Sequence, residues 1–465
     1  MSRTSLAALA LVALALPLSA QQTRPAAPPA AARAQAPGGL HEAYTKFTLP
    51  NGLVVILHED HTVPTVTVNV WYHVGSANEK PGRTGFAHLF EHLMFMGSGH
   101  VKRGEFDTLL EAAGGDNNAS TANDRTNYYI DVPSNALDLA LFLESDRMGS
   151  LLDVVSEDMV NGQRDVVKNE RRERIENAPY GMASIHINEL LYPKDHPYHW
   201  PVVGYMEDLT AASADDVRNF FRTYYTPQNA SLVIAGDINT LEARRKVEYW
   251  FKDVKAGKAP APIVAPPASL PNVIKETMSD RVQLPRLYLV WHSPAIYKPG
   301  DAELDTLADL LTSGKTSRLY KKLVYDLQVA QGVQASQDSM QLGSTFEIVV
   351  TARPSQDPPD KVLEKLKGLI DDELDAMRKT PPDAKELERA YNKREASFYS
   401  RLERVGGVAD QMNGYFFSTG DPDYFAKDLA RYRAITPAVV QAALNQWLQP
   451  GHRLELSVVP AGAAK

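Results

Sequence analysis

Residues 255–271 read KAGKAPAPIVAPPASLP. A run this rich in Pro and Ala makes a spacer rather than a packed element. It lies near the middle of a chain whose 465 residues exceed one ordinary domain. The chain is therefore expected to fold as two halves, 41–254 and 273–465, joined by a linker over 255–272. The halves end alike. In the first, the amphipathic stretch Ala214–Phe221 precedes Tyr225-Thr226-Pro227-Gln228-Asn229 and an apolar segment, Ala230–Ala235. In the second, Pro437–Leu444 precedes Leu448-Gln449-Pro450-Gly451 and the segment Arg453–Val459. Each reads as helix, Pro-bearing turn and closing strand, so the halves are expected to be distant repeats.

The first half opens with a hairpin signal: Phe47–Leu49, the turn Pro50-Asn51-Gly52, then Leu53–His58. Thr65–Val74 reads as a longer strand. Val66, Val68, Val70, Tyr72 and Val74 share one face, and Thr65, Thr67, Asn69, Trp71 and His73 share the other, more polar one. A helix over roughly Gly85–Met96 follows. Strands and helices mixed in this way, with a strand of one polar face, predict α+β sandwich-like halves built on mixed or antiparallel sheets.

At the N-terminus, Arg3, the apolar run Leu6–Leu18 and Leu18-Ser19-Ala20 have the pattern of a cleaved export signal over residues 1–20. That run is short for a membrane span, and an Ala/Pro-rich spacer over 21–40 comes next. The expected location is the periplasm of a Gram-negative bacterium. The chain contains no cysteine, so no disulfide holds it together and any zinc site must use His, Asp or Glu. A net charge of −8 argues against nucleic acid as a principal partner.

Within the expected helix stands His88-Leu89-Phe90-Glu91-His92. Residues at i, i+3 and i+4 share a helical face. Two imidazoles four residues apart can grip one Zn²⁺, and the carboxylate between them can reach a metal-bound water. The neighbours Phe86, Leu89, Phe90, Leu93 and Met94 are apolar. Three ionisable groups on so apolar a helix call for a compensating partner. Catalytic zinc generally takes three protein ligands, so one is still missing. Glu170, Glu173 and Glu176 lie on a charge-rich helical segment, spaced by three, and spacing alone does not choose among them.

The motif His88–His92, followed by Asn169-Glu170-Arg171-Arg172 and Asn177-Ala178-Pro179-Tyr180-Gly181, resembles the pitrilysin/insulinase family of inverzincin metallopeptidases. Gly85-Phe86-Ala87, Phe95-Met96-Gly97-Ser98, Gly114-Gly115, Asn118-Ala119-Ser120-Thr121 and Tyr224–Asn229 are similar to that family's flanking motifs. The likeness runs from about residue 45 to 460. It implies that His88, His92 and Glu170 bind one Zn²⁺ and that Glu91 is the general base. It also implies that Asn118 and Ala119, on an edge strand, hold the main chain of an extended peptide substrate. The implied activity is zinc-dependent cleavage of short or unfolded peptides. The alternative is a non-catalytic scaffold subunit of a related complex.

Two places depart from the family pattern. Gln163 stands two turns before Glu170, where members often carry an acid. In the second half, members commonly supply an Arg and a Tyr seven residues apart, whereas here Val324 and Gln331 occupy those places, with Arg318 and Tyr320 nearby as candidates to act instead. The second half also lacks the zinc motif. The resemblance thus implies a heterodimer in which a homologous chain supplies the Arg/Tyr pair; a homodimer is the other possibility. His199 is a further candidate to line the cleft.

Overall fold

The structure is a computed structural model that describes residues 40–265 and 268–462. The expected export signal, and the spacer up to residue 39, lie outside the described residues. No helix among the described residues is long and apolar enough to cross a membrane.

The chain builds two mixed sheets with helices, the α+β architecture expected. The first sheet contains β1 (Thr45–Thr48), β2 (Val54–Glu59), β3 (Thr65–Tyr72), β4 (Asp116–Thr121), β5 (Thr126–Pro133) and β6 (Ala230–Gly236), in the order β1-β2-β6-β3-β5-β4. The second contains β7 (Ile274–Asp280), β8 (Arg286–Ser293), β9 (Ala330–Asp338), β10 (Ser344–Ala352) and β11 (Leu454–Pro460), in the order β7-β11-β8-β10-β9. Without β1 the two orders are the same, strand for strand. In each, the first and last strands of the half pair in parallel, β2 with β6 and β7 with β11. The closing units repeat too: helices Ala214–Tyr224 and Pro437–Trp447 each lead through a turn into β6 or β11.

Strand β3 shows how the halves are joined. Val66, Val68, Val70 and Tyr72 pack into the first half's own core with Phe86, Leu89, Phe90 and Leu93. The opposite, more polar face is not wet. Thr67, Asn69 and Trp71 are buried under the helix Val405–Thr419, which comes from the second half. Val408, Ala409, Met412 and Tyr415 of that helix pack on Ile56, Val233 and Ala235. Its polar groups answer those of β3. Asn413 donates to the Asn69 carbonyl and Oδ1, each at 3.0 Å, and Asp410 accepts from Trp71 Nε1 at 3.0 Å and Asn127 Nδ2 at 3.1 Å.

The exchange is mutual. The helix Met182–Leu191, from the first half, lays Ala183, Ile187 and Leu191 on Tyr288, Val290, Leu454, Leu456 and Val458 of the second sheet. Each sheet therefore has one face covered by its own half and the other by a helix of the opposite half. Burying apolar surface on both faces stabilises each sheet, and it makes the halves mutually dependent.

Candidate metal centre

The motif helix spans Phe86–Leu93, shorter than expected at its C-terminal end. Its first residue follows Gly85, which sits at φ 85°, a left-handed conformation that glycine adopts readily. Gly85 has no side chain to cap the helix, so the orphan N–H groups need an acceptor from elsewhere. Glu79 supplies it, accepting from Gly85 N–H and Ala87 N–H at 2.8 Å each. Burial pushes the Glu79 carboxyl well above its ordinary range, and those N–H donors pull against it. Gly85 also touches Gly204 so closely that a Cβ on Gly204 would come within 2.5 Å of it. Glu79 was not singled out from the sequence. The clue was a glycine at the helix start, which obliges a distant carboxylate to serve as cap.

Phe86, Leu89, Phe90 and Leu93 are buried, which turns His88, Glu91 and His92 toward a cleft. Across it, the helix Glu157–Arg171 packs on the motif helix and presents Glu170. His92 Nε2 lies 3.2 Å, and His88 Nε2 3.7 Å, from Glu170 Oε2. Among the described residues, only this trio brings three His, Asp or Glu ligand atoms within 4.8 Å of one another. The α-helix ends at Arg171 and continues as a π turn over Arg172–Glu176, which takes the other two glutamates elsewhere. Glu173 is exposed, and Glu176 accepts from Arg171 Nε at 3.0 Å. The distal oxygen of Glu170, Oε1, is held at 2.6 Å by Arg174.

The donor set fits zinc. Two imidazole nitrogens converge on one carboxylate oxygen, a cluster of lone pairs that a cation in their midst would satisfy. Ligand atoms about 2.0–2.1 Å from a tetrahedral ion stand roughly 3.3 Å apart, close to the separations found. Burial, and then His92, hold the His88 imidazole below its ordinary pKa and so favour its neutral, metal-binding form. Gln163 is buried two turns before Glu170 on the same helix.

The cleft measures about 700 Å³ and, among the described residues, is lined by the first half only, from His88 to Val203. Strand β4 forms one wall and is an edge of its sheet. Ala122 N–H donates to Arg125 C=O, and antiparallel groups alternate. Stepping back along the strand, the main-chain groups of Ser120 and Asn118 face β5, whereas those of Ala119 and Thr121 face the open edge. Of the two residues singled out, Ala119 thus presents its main chain to the cleft. Asn118 can act there only through its side chain, whose Oδ1 accepts from Ala119 N–H at 2.8 Å. Thr121 Oγ1 donates to Glu91 Oε2 at 2.6 Å.

The other candidates lie elsewhere. Arg318 is committed to a two-pronged pair with Glu386, at 2.9 and 2.8 Å. Tyr320 and Val324 pack on the second half's core, and Gln331 is exposed on β9. His199 Nδ1–H donates to the Tyr192 carbonyl at 2.7 Å, and His199 does not line the cleft. The loop after the third ligand docks on the second half: Tyr180 N–H donates to Asp280 and its hydroxyl to the Leu284 carbonyl.

The repeat of two mixed sheets, with a His/His/Glu cluster in one half, has counterparts among known proteases. Residues 54–189 match the insulinase family, peptidase family M16, and residues 211–394 match its peptidase M16 inactive domain. The chain is 33% identical over 376 residues to the zinc protease PqqE of Helicobacter pylori, covering 80% of this chain and 83% of that protein. It is 26% identical over 422 residues to an uncharacterized zinc protease of Streptomyces coelicolor, covering 89% of each. The crystal structure of a protease from Helicobacter pylori superposes with a TM-score of 0.83 at 28% identity, over 90% of this chain and 100% of that one. A peptidase M16 inactive domain from Pseudomonas fluorescens shares the fold, with a TM-score of 0.81 at 19% identity over 91% and 99% of the two chains. The chain belongs to the insulinase family of peptidases, M16.

Proposed function

We propose that this protein is a zinc-dependent endopeptidase that cuts short or unfolded peptides. The observation that carries the reading is the convergence of His88, His92 and Glu170 beside Glu91. His88, His92 and Glu170 would hold the ion. Bound zinc supplies a Lewis acid for the scissile carbonyl and a water whose pKa is lowered toward about 7.

The chain's own residues do the rest. Glu91, on the motif helix but outside the trio, takes the proton of the attacking water and hands it to the leaving amine. The open edge of β4 takes an extended peptide as an added strand through the main-chain groups of Ala119 and Thr121. An edge strand pairs with unfolded backbone, not with backbone already bonded in a fold, which favours extended substrates.

Among the described residues the cleft is lined from one half only, and Val324 and Gln331 offer no cation or phenol where the family resemblance implies an Arg and a Tyr. We therefore assign the missing pair to a homologous partner chain in a heterodimer. The export pattern of residues 1–20 supports a periplasmic location. The test combines metal analysis with peptide cleavage by wild type and Glu91→Gln. Bound zinc in both, with cleavage lost in the variant, supports the reading; unchanged cleavage by Glu91→Gln overturns the assigned base, and a zinc-free wild type that still cleaves overturns the whole.

A further inference from the structure

Thr121 is placed at a junction that the mechanism above leaves unexplained. It ends β4, with its main-chain N–H and C=O on the open edge where a peptide would pair. Its side chain leaves the strand on the side of the motif helix and donates to Glu91 Oε2 at 2.6 Å. The same residue thus touches both the strand that takes the substrate and the carboxylate that takes the proton. A hydrogen bond to one oxygen fixes the plane of a carboxylate. With Oε2 occupied by Thr121, Oε1 is the oxygen left for the attacking water.

Thr121 itself is well anchored. Its neighbour Ser120 is clamped by Arg125, which donates to the Ser120 carbonyl at 2.8 Å and stacks over Trp71. Trp71 is bonded to Asp410 on the helix that crosses from the second half. The end of β4 is therefore held from behind by the junction of the two halves. This is the kind of supporting contact that keeps a reacting group within a fraction of an ångström of its working position.

We propose that Thr121 is a positioning residue that aims the Glu91 carboxylate. The proposal rests on the reading of Glu91 as the base. It makes the end of β4 both substrate platform and support for the base, so that seating a peptide and orienting the proton acceptor are properties of one strand.

The test compares Thr121→Val, which keeps the branched shape that suits a strand, with Thr121→Ser, which keeps the hydroxyl. Zinc affinity is measured by chelator competition, and kcat and KM on a fluorogenic peptide. The expected result is a fall in kcat of about 10- to 100-fold for Thr121→Val, with KM and zinc affinity within about threefold of wild type, and kcat restored by Thr121→Ser. A crystal structure of zinc-loaded Thr121→Val should show the Glu91 carboxylate turned from its wild-type orientation. Wild-type kcat in Thr121→Val, an unrestored kcat in Thr121→Ser, or an unmoved Glu91 would overturn the proposal. A Glu91→Gln control separates the two levels. If Glu91→Gln is inactive while Thr121→Val is not, only the positioning role fails; if Glu91→Gln is active, the base assignment has failed first.

Discussion

The Nε2 of His92 lies 3.2 Å from Oε2 of Glu170, although the two residues are 78 positions apart and sit on different helices. Their approach depends on the helix Glu157–Arg171 packing against the motif helix. Ligand affinity should follow from this. Replacing Glu170 by Gln removes an anionic oxygen while keeping the shape of the side chain. Zinc affinity should fall by at least about 10- to 100-fold, more than perturbing an outer partner would cause, and cleavage should fall with it. Chelator competition and an activity assay on the same preparation check this. Removing zinc with a chelator should abolish cleavage, and added Zn²⁺ should restore it.

The one-sided cleft bears on assembly. The purified chain alone should cleave peptides poorly, and a homologous chain that carries the Arg/Tyr pair should raise kcat/KM by about 100-fold or more, the scale of a lost oxyanion donor. Size-exclusion chromatography with light scattering and a cleavage assay on the mixture read both effects. Full activity of the lone chain, with no change on adding the partner, would sink the heterodimer.

The exchanged helices bear on stability. Asp410 accepts from Trp71 Nε1 and Asn127 Nδ2 between the second-half helix and the first sheet. Asp410→Ala leaves those donors without their acceptor and should destabilise the protein by about 2 kcal/mol. Equilibrium denaturation would show it. Residues 40–254 expressed alone should be insoluble or molten, since one face of their sheet would be bare.

Two histidines at these junctions set a pH dependence. Burial lowers His73, which lies against Phe417 of the crossing helix, to a pKa of about 4. Burial likewise lowers His292, which stands by the Leu191 carbonyl of the other crossing helix, to about 4. A folded-state pKa below the unfolded value of about 6.5 means that the unfolded chain binds more protons in between. The stabilisation is therefore complete above about pH 6.5 and is lost as pH falls toward 4. Each histidine should contribute on the order of 2 kcal/mol to that loss. Melting temperatures from pH 7.5 to 4.5 should fall, and His73→Gln should flatten the curve. An equal fall in the variant would rule His73 out.

Much of the fold was legible in local pattern. Alternation marked β3, the Pro-Asn-Gly turn marked the first hairpin, and the matching ends of the halves announced a repeat. That the more polar face of β3 is dry was not legible, because the polarity of Thr67, Asn69 and Trp71 does not say what covers them. That cover arrives some 340 residues downstream, where Asn413 meets Asn69. Periodicity describes a strand's two faces but not what will be packed on them.

The candidate site divides in the same way. His88, Glu91 and His92 belong on one face because a helix repeats every 3.6 residues, a constraint that chain order alone imposes. Which of Glu170, Glu173 and Glu176 joins them could not come from spacing, since helical period treats them nearly alike. The choice is made where the α-helix gives way to a π turn at Arg172 and where its packing against the motif helix turns one face to the cleft. Thr121 reaches Glu91, and Glu79 caps the motif helix, for a reason of the same kind. Local hydrogen-bond geometry is written in neighbouring residues, but the meeting of two elements is decided by the burial of apolar surface across the whole chain.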